Sequence, residues 1–335
     1  MKRLRKIFML MIVLITVSTI LISCKKETNV VETFPEKITN LNSYKLVGKL
    51  ETMFPTGTKE CEVTAYYQKP NLYRVEIKNP NAEEVQVIIK NADGVFVIVP
   101  SINKTFKING TWPINSSYPY LLQSLSKDIV NDNELITNNN GTQTTLELKA
   151  KVFNNSNPTK QKIIFDNKTQ LPTEVLLYDD SNNLFSRFVF NTIEENPKLV
   201  NDLFVVNTTI NTIRLSYEKL PIEYERTITY PTYFQEGTSK ASEIITGDNE
   251  NKQVVMKYTG STVFTIIEKF VTDVETTKTE YVDGDIYIMG GVAGIITENI
   301  LKFYDNGVEY TIASTSLNMY EIMKTAESLR ITSEK

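Results

Sequence analysis

Tyr44-Lys45-Leu46-Val47-Gly48-Lys49-Leu50-Glu51-Thr52-Met53-Phe54 alternates apolar and polar side chains along most of its length. In a strand, successive side chains point to opposite faces, so this period of two reads as a β-strand with one buried face. Cys61–Tyr67 is its hairpin partner across the turn at Pro55–Lys59, and Leu72–Lys78 alternates in the same way. Val85–Ile89 and Val95–Val99 flank Asn91-Ala92-Asp93-Gly94, where Asp-Gly marks a tight turn, and Thr105–Ile108 follows. Tyr118–Val130 breaks the rhythm. Tyr118, Leu121, Leu122, Leu125 and Ile129 fall on one side of a helix. Strands resume at Thr144–Val152, Gln161–Asp166, Thr173–Tyr178 and Leu184–Phe190, joined by Asn- and Asp-rich turns. Before the first strand, the spacing of Val30, Val31, Phe34, Ile38 and Leu41 predicts a short amphipathic helix starting near Pro35.

Beyond residue 194 the pattern weakens. Glu194–Thr212 shows no clear period apart from Phe204-Val205-Val206, and Pro221 and Pro231 fall in a linker placed at 214–232. A second, smaller unit at 233–335 has expected strands at Gln253–Tyr258, Val263–Val271, Ile286–Met289, Val292–Tyr304 and Val308–Ala313. Asp305-Asn306-Gly307 is a tight turn, and Ser316–Leu329 is a closing helix. The expected class is α+β, mainly β: a larger β-rich domain at 34–213 followed by a small α+β domain.

The chain has 335 residues, 41% hydrophobic and 23% charged, enough apolar material for packed cores. It has no histidine and only two cysteines, Cys24 and Cys61. That removes Ser-His-Asp triads, histidine acid–base chemistry and most zinc or haem sites, so neither an enzyme nor a cofactor protein is expected. Met1–Lys6 is basic, Ile7–Ile22 is mostly apolar, and Leu21-Ile22-Ser23-Cys24 ends the stretch. A basic start, an apolar run and a small residue before the cut fit a secretory signal at 1–23. Cleavage would take four positive charges with it and move the net charge from −4 to −8. An acidic surface speaks against a nucleic-acid partner.

Leu21, Ser23 and Cys24 also resemble the bacterial lipobox. The resemblance implies a diacylglyceryl thioether on Cys24, a tether at 24–33, and anchoring at the outer face of the cytoplasmic membrane. Further motifs agree with it. Lys69-Pro70-Asn71-Leu72-Tyr73-Arg74, then Asp93-Gly94-Val95-Phe96 running to Pro100, then Trp112-Pro113-Ile114-Asn115-Ser116-Ser117 stand in the order of one known family. They resemble the LolA/LolB-like lipoprotein-carrier superfamily, and within it the Gram-positive sporulation and germination lipoproteins similar to YdcC and GerS. The resemblance spans roughly residues 30–210. Gly307–Tyr310, Leu317, Glu321-Ile322 and Ala326–Leu329 resemble a small domain of the DUF4367 type.

The resemblance implies a half-open antiparallel β-barrel with a helical lid and a cavity for acyl chains. Its cavity and lid candidates are Tyr73, Phe96, Phe106, Trp112, Tyr118, Leu121, Leu122 and Leu125, and its motif residues are Lys69, Pro70 and Arg74. The Gram-negative carriers have arginine where Lys69 stands. Lysine cannot make arginine's forked contacts, and an anchored protein cannot shuttle cargo. Two functions follow: binding of a lipid, acyl chain or lipidated peptide in sporulation or germination, or docking of a partner such as a cell-wall amidase or other envelope protein. Other sets read as structure. Asp283-Gly284-Asp285 with Glu280 lacks calcium-loop spacing, Gly290-Gly291 is followed by no Gly-Lys-Ser/Thr, and Glu83-Glu84 and Glu194-Glu195 sit on opposite strand faces.

Overall fold

A computed structural model describes residues 29–79, 84–113, 116–151, 159–179, 181–216, 227–248, 251–271 and 276–330. Helix α1 (Val30–Asn40) precedes β1 (Ser43–Phe54), β2 (Gly57–Gln68), β3 (Leu72–Lys78), β4 (Val85–Asn91), β5 (Gly94–Val99) and β6 (Lys104–Asn109). Then come α2 (Leu122–Asn131), β7 (Ile136–Asn139), β8 (Gln143–Lys149), β9 (Lys160–Asp166), β10 (Leu171–Tyr178), β11 (Leu184–Glu195) and α3 (Val206–Ser216). The C-terminal part holds β12 (Thr238–Thr246), β13 (Gln253–Gly260), β14 (Phe264–Phe270), β15 (Lys278–Asp283), β16 (Asp285–Met289), β17 (Val292–Ile296), β18 (Ile300–Asp305), β19 (Val308–Ser314) and α4 (Met319–Arg330).

The strands form two sheets. The first runs β15-β6-β5-β4-β3-β2-β1-β11-β10-β9-β8-β7, and the second β12-β13-β14-β19-β18-β17-β16. The mainly β, α+β class holds; β15 and β7 are the two ends of the first sheet and do not pair with each other, so the sheet is open. At its centre β1 pairs β2 on one side and β11 on the other, with a bulge at Val47/Gly48. A Cβ on Gly48 would lie 2.4 Å from Phe188 Cζ, so only glycine lets that ring cross β1.

One face of the first sheet, here called inner, carries α1 and α2. Phe34 and Ile38 from α1 and Leu122, Leu125 and Ile129 from α2 bury into one core with Leu46, Val63, Val75, Ile163 and Val175. The opposite face is also covered. Val87, Ile89, Phe96 and Ile98 pack under Ile210 of α3. In the second sheet, Ile286, Ile288, Ala293 and Ile295 face the first core, while Tyr287, Met289, Leu301 and Ile312 face α4.

Several elements depart from the sequence expectations. Asn29 caps α1 by accepting from the Val31 amide at 3.1 Å, so the helix starts a turn early and contains Pro35. It takes in residues 30–33 of the expected tether, whereas Cys24 and the signal lie outside the described residues. The second helix begins at Leu122 rather than Tyr118. Helix α3 escaped detection because its Thr, Val and Ile residues are weak helix formers, although Val206, Ile210 and Ile213 share its packed side. Strands β7, β12 and β15 are largely exposed on both faces, so they carry no alternation. Val292–Tyr304 is two strands, not one.

β15 has the largest consequence. The chain leaves the second sheet after β14, pairs in parallel with β6, and returns as β16 across Gly284 alone. Gly284 has φ +141°, and a Cβ there would lie 2.4 Å from the Ile296 carbonyl oxygen, so glycine makes this corner. The segment after residue 233 therefore contributes a strand to the sheet built by the segment before it.

Candidate functional site

The inner face carries a run of touching rings. Tyr44 contacts Tyr67 (5.5 Å between centroids), Tyr67 contacts Tyr73 (5.1 Å), and Tyr73 contacts Trp112 (5.9 Å). Trp112 meets Tyr118 (6.0 Å), Tyr118 meets Tyr120 (5.9 Å), Tyr120 meets Phe188 (6.3 Å), and Phe188 meets Phe190 (4.8 Å). The distances and tilted or edge-on angles are those of favourable aromatic pairs. Trp112, Leu121, Leu122 and Leu125 are 0% exposed. Burial holds the Tyr44, Tyr73, Tyr118 and Tyr120 hydroxyls in their neutral form, far above their ordinary pKa.

Tyr73, Phe106, Trp112, Tyr118, Leu121, Leu122 and Leu125 share one buried core of side chains packed on one another. Phe96 does not join them. Register pairs it with Ile89, which pairs with Arg74, and all three point to the opposite face. An odd-numbered residue of β5 such as Val97 reaches the inner core instead.

The motif residues split likewise. Lys69 and Pro70 are exposed in the β2–β3 turn. Arg74 is buried on the opposite face. Its Nε donates to Glu76 Oε1 (2.7 Å), and one terminal nitrogen donates to the Leu203 carbonyl (2.9 Å) and Thr209 Oγ1 (2.6 Å). It fastens the start of α3 to the sheet. The sequence signal for this second buried face was the unbroken apolar character of Val87–Ile89 and Val95–Val99, which marks strands covered on both sides.

Tyr44 Oη donates to Gln123 Oε1 at 2.9 Å. Among the described residues Trp112 Nε1, Tyr120 Oη and Gln123 Nε2 meet no partner in full hydrogen-bond geometry, although Trp112 stands beside Tyr120 and Gln123 beside Tyr67. Asp128, at the end of α2, accepts from Gln161 Nε2 (2.8 Å), and burial pushes its carboxyl up to about 6.

Where the sheets meet, charges interlock. Lys104 of β6 pairs with Glu280 of β15 (2.7 Å) and with Glu309 of β19, while Lys302 of β18 pairs with Glu280 and with Glu309 (3.2 Å). Both ammonium groups lie over the Phe106 ring, at 4.5 and 5.4 Å. Gln86 of β4 bridges the same junction, donating to the Tyr304 carbonyl and accepting from the Ala293 amide, each at 2.9 Å.

An open cleft of about 760 Å³ lies at the end of β5, β6 and β15, with Lys90, Asp93, Lys107, Trp112, Tyr281 and Asp283 among its walls. Asp93, Gly94, Val95 and Trp112 of the sequence motifs line it, while Tyr281 and Asp283 join the wall only through the sheet-switching path. Among the described residues no three carboxylate or cysteine side chains gather as a metal site. Asp283 is held by Asn109 Nδ2 (2.9 Å), and Glu195 by Lys37 (2.8 Å). Glu84 accepts from Ser101, and Glu83 lies outside the described residues.

A sequence profile for the family described as "Sporulation protein YdcC-like" matches residues 4–204. The chain belongs to this family. It is 28% identical over 339 residues to "Sporulation protein YdcC" of Bacillus subtilis (strain 168), covering all of both chains. Similar solved structures are distant. They include a LolA superfamily protein from Nitrosomonas europaea (12% identity, TM-score 0.32, 54% of this chain and 98% of that one). Another is the Pseudomonas aeruginosa MucA/MucB complex (10%, TM-score 0.32, 88% and 97%). A third is the CwlD amidase from Clostridioides difficile in complex with the GerS lipoprotein (17%, TM-score 0.28, 53% and 96%). The family match ends before the second sheet begins.

Proposed function

We propose that this member of the YdcC-like family is a non-enzymatic binding protein, lipid-anchored through Cys24 at the outer face of the cytoplasmic membrane. Its ligand on this reading is an envelope protein, such as a cell-wall enzyme, docked on the outside of the fold during sporulation. The observation that carries this reading is the packed inner face. The residues assigned to an acyl cavity are buried against each other and against α1 and α2. The family and the full-length relative support the sporulation setting.

The test is lipid extraction and mass spectrometry of the full-length protein after detergent exchange. The expected result is no noncovalent lipid at stoichiometric amount. One tightly held lipid per chain would overturn the docking reading. It would favour a second reading, an acyl or lipidated-peptide guest, for which the buried donors Trp112 Nε1 and Gln123 Nε2 would offer unused hydrogen bonds.

A further inference from the structure

We infer that the bilayer holding the Cys24 lipid meets one end of the first sheet, the rim made by the β2–β3 turn, the β9–β10 turn and residues 196–200, and that the β1–β2 turn at the other end points away from it. This rests on the lipid-anchor part of the reading above and names the protein surface that lies on the membrane. Cys24 stands five peptide steps before Asn29, a reach of about 17 Å at most. Asn29 caps α1, and α1 runs along that rim. Thr33 Oγ1 donates to Gln170 Oε1 (2.9 Å) and Lys37 Nζ to the Thr169 carbonyl (3.2 Å), both in the β9–β10 turn. Just past the other end of the helix, the Asn42 carbonyl accepts from the Lys69 amide of the β2–β3 turn (2.8 Å). A lipid tied this close to the rim holds that end of the sheet at the membrane. β1 and β2 are each 12 residues long, so the β1–β2 turn lies about 37 Å away along the hairpin.

The composition of the rim suits a lipid surface. The chain leaving β11 crosses it, tied down by Ser43 Oγ donating to the Pro197 carbonyl (2.7 Å) and by the Asn42 amide donating to Asn196 Oδ1 (2.8 Å). That path leaves Val200 61% exposed, two residues after exposed Lys198, and the β2–β3 turn adds Lys69 and Pro70. Apolar groups flanked by lysines fit a headgroup boundary, where the amines reach phosphate and the apolar groups meet the acyl edge. The neighbouring helix face fits less well. Glu32 and Glu36 stand exposed on α1, and anionic headgroups would repel them. Asp93 and Asp202 are exposed at the same end of the sheet as Lys69, Lys168 and Lys198. The rim therefore carries little net charge, and the lipid on Cys24 with the apolar contact holds it down.

The test places a bimane label on single introduced cysteines in the full-length protein carrying its lipid. The protein is bound to phosphatidylcholine vesicles that contain phosphatidylcholine with a nitroxide on its headgroup, a short-range quencher. Cys61 is buried and Cys24 is capped by the lipid, so only the introduced thiol reacts. Val200→Cys and Asn71→Cys probe the rim, and Thr56→Cys, in the turn at the other end of β2, probes the far end. A strong loss of bimane emission is expected at Val200→Cys and Asn71→Cys, and none at Thr56→Cys. Thermal melts of each variant check that the fold persists. With the lipid on Cys24 verified by mass spectrometry, an equal loss at all three positions, a larger loss at Thr56→Cys or no loss anywhere overturns the orientation and leaves the anchor standing. Absence of lipid from Cys24 in protein extracted from cell membranes overturns the anchor and the orientation together.

Discussion

Two of the cores among the described residues differ in chemistry. The inner core of the first sheet is aromatic and neutral, a run of rings from Tyr44 to Phe190 closed by two helices. The core between the second sheet and α4 is aliphatic and aromatic too, but it buries carboxylates. Glu268 is fully buried on β14 and accepts from the Thr229 amide (3.2 Å) and hydroxyl (2.5 Å), and Glu327 of α4 is fully buried as well. Burial pushes Glu268 up to about 7, with Glu243 adding to the shift and the Thr229 bonds opposing it. The rings depend on shape, although the Asp128 carboxyl at the edge of that core is also pushed up, to about 6. A core with a desolvated acid ties its stability to proton uptake.

The comparison breaks first, and hardest, at Trp112. Trp112→Ala removes the ring that links Tyr73 to Tyr118 and should cost about 4 kcal/mol in urea unfolding, the range for a fully buried aromatic. A loss below about 1 kcal/mol would mean that the inner core is loose enough to close over the gap.

The next effect sharpens the contrast. An acid whose folded pKa is raised binds its proton more tightly when folded. Glu268 therefore stabilises below its ordinary value of 4.5, and that stability is lost as pH rises through about 7. The loss is on the order of 3 kcal/mol, and Glu268→Gln should flatten the slope between those pH values. Urea melts of both proteins across that window check it, and an unchanged slope in Glu268→Gln would assign the dependence elsewhere.

The smallest effect lies where the two cores touch. Lys104→Gln leaves Lys302 to balance Glu280 and Glu309, so a loss of about 1–2 kcal/mol is expected. Amide exchange should show that loss as faster opening of β15 and β6 together. Opening of β15 alone would show that the network serves the strand and not the junction.

Much of the first core was legible in the residues. Strands β1–β3 and β8–β11 alternate because one of their faces is less buried, and α2 declares itself through Leu122, Leu125 and Ile129. What escaped has physical causes. Tyr73 and Arg74 are neighbours in a motif but point to opposite faces, so only the register separates a ring of the inner core from the clamp on α3. Phe96 was misplaced by the same parity. Edge strands such as β7 and β15 bury almost nothing and leave no periodic trace. The cleft depends on a parallel pairing across a long separation in sequence, which no local pattern encodes.

On the docking reading proposed above, the rings from Tyr44 to Phe190 and the helices α1 and α2 fill the inner face with the protein's own side chains. Trp112 is the sole tryptophan, so its emission reports that interior directly. Titrating the full-length protein with oleate should leave its emission maximum and its poor quenching by acrylamide unchanged. A saturable spectral shift, or displacement of a bound fluorescent fatty acid by oleate, would contradict the account.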